Sequence, residues 1–207
     1  MVLIIFLFAL ISSTTSRASN ANDFCVANLT GPETPSGYLC KSTNTVTSSD
    51  FKYSGLTPGN PSSTYNIALT TAFVDQFPAV NGLYISMARV DMGVGGVVPV
   101  HTHPGGNEMI LVLQGKIIAG FITSTNVYMN ILGPGDVMVF PQGQLHFQIN
   151  NGTTKAVVIS AYSSPRPRIN IVLNLLFANL PADIIAAITK ISPPEVQKLK
   201  AQFGGSG

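Results

Sequence analysis

Charged side chains are scarce in this chain of 207 residues, because Asp, Glu, Lys and Arg together make up only 10% of it. The net charge of +2 is spread thinly, and the basic residues cluster no more densely than in the segments RPR and KLK. A surface that follows a phosphate backbone needs a denser basic patch, so the composition argues against nucleic acid as a partner. With 45% apolar residues, the chain can bury one globular core.

Long hydrophobic runs are also rare, and the longest uninterrupted one is at the N-terminus, over residues 2–11. Spanning a bilayer takes about 20 apolar residues, so this run predicts no membrane span. Small polar residues follow it, and Ala18 and Ala21 each stand two positions after a serine, which is typical of a cleavage site. We therefore expect a secretory signal peptide over residues 1–21 and a single mature domain over 22–207.

Cysteine occurs only twice, at Cys25 and Cys40, near the start of the expected mature chain. Secreted proteins fold in an oxidising compartment, so two cysteines are expected to form a disulfide rather than to remain free thiols. Closing a loop of this size contributes about 3 kcal/mol by constraining the unfolded chain.

Two sequons are compatible with N-glycosylation. They are NLT at Asn28 and NGT at Asn151. The second lies in NNG between two apolar stretches, which is an equally good hairpin turn.

Short runs of β-branched and aromatic residues fill the chain from about residue 45 to 165, and Gly, Pro and Asn turns separate them. Examples are GLYISMARV, EMILVLQG, KIIAGFIT, DVMVFP and AVVISAY. Short strands at regular spacing predict an all-β sandwich or barrel. The first 40 residues of the expected mature chain, 22–61, are rich in Ser, Thr, Pro and Gly and are expected to form an irregular strap held by the disulfide.

The last residues have a different pattern, since apolar side chains recur at helical spacing over 181–203. Ser192, two prolines and Glu195 form a capping-box signature, and Gly204 follows the second helical pattern. The sequence thus predicts two short C-terminal helices. They either close one end of the barrel or dock on a neighbouring subunit.

Histidine occurs only three times, and two of the three are one residue apart, at His101 and His103. On an extended strand these two imidazoles face the same side, which would be the barrel interior. Glu108 opens the next apolar run, and His146 opens another after a turn-rich segment. The four side chains are candidate ligands of one metal ion, although an H-x-H pair alone also occurs in exposed or structurally hydrogen-bonded histidines.

The candidate ligands stand in two longer patterns. The first, from Gly95 to Gly115, is G-x5-H-x-H-x4-E-x6-G, and the second, from Gly135 to Asn150, is G-x5-P-x-G-x2-H-x3-N. These resemble the two signature motifs of the cupin superfamily in the form found in plant germins and germin-like proteins. The resemblance extends over nearly the whole chain, and the segment ARVDMGVGGVVPVHTHPGGNE and the ending LKAQFGGSG look most like the branch described as auxin-binding.

The resemblance implies an all-β cupin fold, a β-jelly-roll barrel with a disulfide-held strap and short C-terminal helices. It also implies a manganese ion held by His101, His103, Glu108 and His146. It further implies a homohexamer, a trimer of dimers clasped by the helices, in the apoplast or cell wall. One departure bears on subunit docking: Arg166 and Arg168, in SSPRPRIN, replace the glycine-containing turn that is common in this family.

The donor set restricts the metal without choosing it. Three neutral imidazoles and one carboxylate, with no thiolate, suit manganese, iron, zinc or nickel. Four protein donors in an octahedral shell leave two positions for water or a small anionic substrate, which favours a reactive site over a purely structural one.

Two reactions are expected within the family, oxalate oxidation and superoxide dismutation. In oxalate-oxidising germins, asparagines that hold the substrate match Ala88 and Val98 of this sequence. Neither side chain can donate a hydrogen bond to a dianion, so oxalate oxidase is disfavoured. We therefore expect a secreted superoxide dismutase with a role in extracellular redox defence.

A non-enzymatic role remains as the alternative. The chain would then be a cell-wall protein or a binding protein for a small ligand such as an auxin, and its metal would mainly rigidify the barrel. An apolar lining by Val98, Met109, Leu111 and Phe140 would suit that role, although such residues are more often plain core.

Overall fold

The computed structural model describes residues 24–205 except Ser63. The expected signal peptide lies outside the described residues. Among the residues that are described, no helix combines the length and the apolarity that crossing a membrane requires.

Two antiparallel five-stranded sheets form the body of the molecule, which confirms the predicted all-β barrel. One has the order β1-β2-β9-β4-β7 and the other β10-β3-β8-β5-β6, so most neighbours in space are distant in sequence. The strands are β1 (Ile67–Ala72), β2 (Ser86–Met92), β3 (Val97–Thr102), β4 (Glu108–Gln114), β5 (Ile117–Ile122), β6 (Val127–Leu132), β7 (Val137–Phe140), β8 (Leu145–Asn150), β9 (Ala156–Tyr162) and β10 (Asn170–Ile171).

The core lies between the two sheets because alternate residues of each strand face inward. In β4, for example, Ile110 and Val112 are buried whereas Met109 and Leu113 are exposed. The cluster that the inward-facing side chains form consists of Val90, Met92, Ile110, Val112, Ile117, Ala119, Leu132, Phe140, Ala156 and Val158.

The motif positions that carry no metal-binding side chain build the turns between these strands. Gly95, Gly115, Gly135 and Gly143 all adopt a positive φ, which L side chains rarely adopt. A side chain at Gly115 would in addition lie 2.7 Å from the backbone of Ala156.

Asn150 is the last residue of the second motif. Its buried amide donates to the carbonyls of Met92, Gly93 and Thr154 over 2.8–3.1 Å. This amide joins the end of β8 to two loops, so both motifs specify the frame of the barrel as well as its candidate ligands.

The strap is closed on itself by the expected disulfide between Cys25 and Cys40. Val26 and Ala27 beside the disulfide are buried, and Ala27 donates a backbone hydrogen bond to the Pro78 carbonyl over 3.0 Å. The strap also includes short 3-10 turns at Thr43–Thr45 and Ser48–Phe51.

Three helices follow the barrel, one more than the sequence predicted. They are α1 (Val172–Asn179), α2 (Ala182–Thr189) and α3 (Pro193–Phe203). The segment of α1 is apolar on nearly every side, so no helical periodicity identified it. The helices pack on one another through Phe177, Ile185 and Val196.

The ends of α3 are placed as expected, after Ser192 and before Gly204, whose φ of 82° is left-handed. Ser192, however, makes no side-chain cap hydrogen bond, so the capping box is not formed. Glu195 instead lies 3.3 Å from Lys198 on the exposed face of the helix.

The two sequon asparagines lie outside the core. Asn28 is partly exposed, and its side chain accepts hydrogen bonds from the backbone and hydroxyl of Thr30. Asn151 is exposed in the turn between β8 and β9. Glycosylation at either position stays a prediction.

A buried carboxylate, Asp91 of β2, connects the strap to the sheet. It pairs with Arg89 at 2.8 Å and with Lys155 at 2.9 Å, and it accepts a hydrogen bond from the backbone of Gly59 at 2.9 Å. Burial alone would raise the pKa of Asp91, but the hydrogen bonds that it accepts outweigh burial and hold this pKa well below its usual range. The ionised form is therefore stabilised in the folded protein.

We expect Asp91→Asn to lower the free energy of unfolding by about 3 kcal/mol, because removing one partner of a buried ion pair leaves the other charges unpaired. A carboxyl whose pKa is lowered by folding stabilises the protein above the unfolded pKa of about 4, and this stabilisation is lost as the pH falls below it. Urea unfolding at pH 7 and pH 3 should therefore show a smaller acid destabilisation in the variant than in the wild type. Glu195→Gln, which breaks the exposed pair with Lys198, is the control and should change stability little.

Candidate metal centre

Strand register brings the four predicted ligands to one end of the barrel. His101 lies in β3 directly opposite His146 in the neighbouring β8. His103 follows the end of β3, and Glu108 is the first residue of β4, in the other sheet. The four side chains thus meet in the space between the sheets.

The geometry of this cluster is compact. All four residues are buried, with at most 3% of their surface exposed. Their candidate ligand atoms lie within 4.8 Å of one another. Glu108 Oε2 is at the centre, 2.8 Å from Nε2 of His146 and 3.1 Å from Nε2 of His103.

Hydrogen bonds at Nδ1, the ring nitrogen that faces away from Glu108, assign the tautomer of each imidazole. Nδ1 of His101 donates to the Pro99 carbonyl and Nδ1 of His146 to the Gln144 carbonyl, both over 2.8 Å. Nδ1 of His103 donates to the carbonyl of Arg168. Because a carbonyl only accepts, Nδ1 of each ring carries a proton, and in the neutral form that binds a metal each Nε2 keeps a lone pair.

This assignment leaves several acceptors facing one another. The three Nε2 lone pairs and the carboxylate of Glu108 share one buried space, and among the described residues Nε2 of His103 has no hydrogen-bond partner. A divalent cation satisfies all four groups at once, and a carbonyl behind each metal-binding imidazole is the usual outer-shell partner. The residues present therefore fit a metal ion.

The pKa of His101 suits the same role. Burial, followed by the neighbouring His146, lowers the pKa of His101 to about 4. Its ring is consequently neutral near neutral pH, and the neutral imidazole is the form that binds metals.

Tyr162, at the end of β9, orients the carboxylate. Its hydroxyl donates to Oε1 of Glu108 over 3.3 Å, and Glu108 lies opposite Tyr162 in the β4–β9 pair. Burial, and then the adjacent Glu108, raise the pKa of Tyr162 well above its usual value, so the phenol keeps its proton.

A cavity of about 100 Å³ opens beside the cluster and includes His101, His103 and Glu108 in its wall. Most of its wall is apolar, with Val90, Val98, Ile169 and Ile171 among the lining residues. Sites for drug-sized ligands measure about 300–1,000 Å³, so this cavity suits a ligand of only a few atoms.

Gln148 is a polar side chain in this wall that the sequence analysis missed, as it missed Tyr65 and Tyr162. It is 1% exposed, and its Nε2 has no hydrogen-bond partner among the described residues. Its position on β8, two residues after His146, places both side chains on the inner face. The period of two predicts this placement, but nothing in the sequence distinguishes an amide that faces a cavity from one that is satisfied in a core.

The expected apolar lining is only partly correct. Val98 lines the cavity, whereas Phe140 belongs to the core and stacks on His146. Met109 is exposed, and Leu111, on the same side of β4, does not line the cavity either. The reason is strand alternation, since Glu108 points inward and residues 109 and 111 therefore point outward.

The two positions considered for oxalate binding carry no hydrogen-bond donor to the cavity. Val98 contributes only its apolar side chain, and Ala88 is buried in β2 outside the cavity wall. A larger cleft of about 620 Å³ lies between the strap and residues 163–168, and none of the four candidate ligands lines it.

Comparison with known proteins identifies the family. The sequence matches the cupin family over residues 53–197. It is 51% identical over 206 residues to auxin-binding protein ABP19b of Prunus persica, covering 98% of both chains. It is 48% identical over 209 residues to germin-like protein subfamily 3 member 3 of Arabidopsis thaliana, covering 100% of this chain and 99% of the other.

Solved structures give the same result for the fold. An oxalate oxidase matches with a TM-score of 0.85 and 33% identity, over 90% of this chain and 98% of the other. An oxalate oxidase in complex with glycolate, a substrate analogue, matches equally well at 32% identity. With its two sheets, its disulfide-held strap and its buried cluster of three histidines and one glutamate, the chain belongs to the cupin family, among the germin-like proteins.

Proposed function

We propose that this germin-like protein is a secreted, manganese-dependent superoxide dismutase of the plant apoplast. The observation that carries the proposal is the site itself, a buried set of four donors that opens onto a small apolar cavity with one unpaired amide. Two superoxide anions and two protons give dioxygen and hydrogen peroxide. A substrate of two atoms is compatible with a cavity of about 100 Å³.

The residues of the metal centre would have two roles, holding the ion and binding the substrate. His101, His103, Glu108 and His146 would hold the ion, and manganese, when bound, supplies one-electron redox chemistry at a position left open by its four protein ligands. The amide of Gln148 would donate a hydrogen bond to the superoxide oxygen.

Tyr162 holds a proton beside the site. Its hydroxyl is bonded to Glu108 and keeps its proton because its pKa is raised well above its usual value. It therefore fixes the carboxylate of Glu108 in one orientation.

Oxalate oxidation is less well supported, although the similar solved structures are oxalate oxidases. Oxalate carries two negative charges and four oxygens that need donors. The described wall offers the amide of Gln148 and the tyrosines Tyr65 and Tyr162, of which Tyr162 already donates to Glu108, whereas Ala88 and Val98 offer no donor. We therefore keep superoxide as the proposed substrate.

Binding of a small carboxylate is the second candidate, and the observation that favours it is the similarity to auxin-binding protein ABP19b. An aromatic auxin is several times larger than superoxide, and the cavity of about 100 Å³ is small for it. Titration calorimetry with indole-3-acetic acid tests this candidate, since a saturable signal that requires the loaded metal would support it.

Secretion is part of the proposal. The apolar run over residues 2–11 is followed by a cleavage pattern, and the disulfide of Cys25 and Cys40 suits an oxidising compartment. N-terminal sequencing of the exported protein should give a start near residue 22.

Self-association is supported by the outer face of the first sheet. Met87, Ala161, Met109 and Val139 lie side by side across β2, β9, β4 and β7, as their strand register shows. Met87, Met109 and Val139 are 43%, 51% and 55% exposed, so the row is an unusually apolar surface for a monomer. We propose a second copy of the chain as its partner, within the hexamer that the family resemblance implies.

The dismutase proposal predicts that activity of the purified, manganese-loaded protein depends on the cluster. His103→Ala should abolish the dismutase activity, because the variant loses a direct ligand of the metal. Loss of an outer-shell partner already lowers metal affinity about 10- to 100-fold, and loss of a ligand should lower it more. Cytochrome c reduction, together with elemental analysis of the same samples, measures both quantities. Manganese-loaded wild type without dismutation would contradict the proposal.

The role of Gln148 predicts a separation between binding and turnover. Gln148→Leu should keep its manganese but lower kcat/KM for superoxide about 10- to 100-fold, since hydrogen bonds to charged groups contribute about 1.5–3 kcal/mol. Gln114→Leu, at an exposed glutamine at the end of β4, is the matched control. Equal kcat/KM in the two variants would contradict the claim that Gln148 donates a hydrogen bond to superoxide.

The association proposal predicts that Met109→Lys combined with Val139→Lys dissociates the oligomer, because two charges would be buried in an apolar interface. Multi-angle light scattering should give a hexamer for the wild type and a smaller species for the double variant. Thr125→Lys, in the exposed turn between β5 and β6, should leave the mass unchanged. A monomeric wild type would contradict the proposal.

A further inference from the structure

The three imidazoles of the metal centre differ in how they are held. The carbonyls that orient His101 and His146 belong to Pro99 and Gln144, each two residues earlier in the chain. The carbonyl that orients His103 belongs to Arg168, 65 residues away. The orientation of His103 therefore depends on tertiary structure, unlike that of the other two.

The segment that supplies this carbonyl, residues 163–169, runs along the loop between His103 and Glu108. Gly105 donates to the carbonyl of Pro167 over 3.0 Å, and Ser163 and Asn107 bond to each other through both backbone and side chain. The segment and the loop lie so close together that a side chain at Gly105 would be 2.7 Å from the backbone oxygen of Arg166.

The backbone at Arg168 is in an uncommon conformation. Its φ of 58° lies in the left-handed region, where residues other than glycine, asparagine and aspartate are rare. Such a conformation persists only where the surroundings fix it. The side chain of Arg168 is exposed, so the fixing contacts come from elsewhere in the segment.

Besides the backbone bond from Val74 to the Pro165 carbonyl and the pairing of β10 with β3, the side chain of Arg166 contributes to these contacts. Its guanidinium pairs with Glu33 at 3.2 Å and with Asp75, and it donates to the hydroxyl of Tyr38 over 3.0 Å. It also lies over the ring of Tyr38, 5.6 Å from the ring centre.

The groups that hold Arg166 are themselves anchored. Tyr38 stands two residues before Cys40 in the disulfide-closed part of the strap, and its backbone carbonyl accepts a hydrogen bond from Asn81 over 2.9 Å. Its hydroxyl lies 3.2 Å from Asp75. Arg166 thus joins the segment to both the strap and the loop after β1.

From these contacts we infer that Arg166 is a positioning residue for the metal centre. Its side chain ties residues 163–169 to the strap, so that the Arg168 carbonyl keeps the His103 ring turned toward the metal. The inference rests on the metal-binding part of the proposed function and does not depend on dismutation.

The test compares metal affinity and ring orientation in four variants. Arg166→Met removes the charge, Arg166→Lys keeps a charge without the guanidinium, Asp75→Asn weakens the same contact from the other side, and Arg168→Asn keeps the carbonyl in a residue that tolerates a left-handed φ. Lys198→Met, which removes a cation from an exposed pair, is the matched control. Manganese and zinc dissociation constants are measured by competition with a chelator.

We expect Arg166→Met to raise both dissociation constants about 10- to 100-fold, the usual effect of losing an outer-shell partner. Asp75→Asn should act in the same direction, Arg166→Lys should restore part of the affinity, and Arg168→Asn and Lys198→Met should match the wild type. Equal loss in Arg168→Asn and Arg166→Met would overturn the inference, because the side chain of Arg168 would then be responsible.

Nitrogen NMR of the zinc-loaded protein separates positioning from general loosening. In Arg166→Met the Nδ1 proton of His103 should exchange faster with solvent, whereas those of His101 and His146 should not change, because their carbonyl partners are local. Faster exchange at all three rings, or unchanged exchange and affinity, would contradict the inference. A wild type that binds manganese without dismutation would defeat only the proposed function, and one that binds no divalent metal would defeat both.

Discussion

Mutual repulsion among four buried acceptors is the constraint on which the site depends. Nδ1–H of each imidazole, in His101, His103 and His146, donates a hydrogen bond to a backbone carbonyl, so in the neutral ring each Nε2 presents a lone pair to the carboxylate of Glu108. Burial removes the water that would otherwise satisfy these groups. A cation placed among them converts the repulsion into four bonds, which explains why such an arrangement is retained in an otherwise apolar barrel.

The barrel makes this arrangement through register and connectivity. Pairing of β3 with β8 sets His101 opposite His146, and the opposite sheet supplies Glu108 and, across the β4–β9 pair, Tyr162. Two imidazoles are oriented by their own strands, but His103 depends on a distant segment that Arg166 fastens to the strap. The guanidinium of Arg166 therefore connects the strap with the metal centre.

The sequence predicted the features that local rules control. Alternation along strands placed the imidazoles on one face, turn glycines marked the ends of strands, and the small number of cysteines predicted their pairing. It failed where long-range packing decides. Helix α1 is apolar without periodicity, so its pattern does not predict a helix. The sequence places Gln148 on the inner face of its strand but does not show that a cavity lies beside it. No sequence spacing connects Arg168 with His103.

The most direct measurement of the central claim is anomalous diffraction from crystals of the manganese-loaded protein, recorded at the manganese absorption edge. The account predicts one strong peak per chain inside the barrel, within about 2.3 Å of Nε2 of His101, His103 and His146 and of one oxygen of Glu108, as for other divalent ions with nitrogen and oxygen ligands. No peak there, or a peak that contacts only one or two of these atoms, would contradict it.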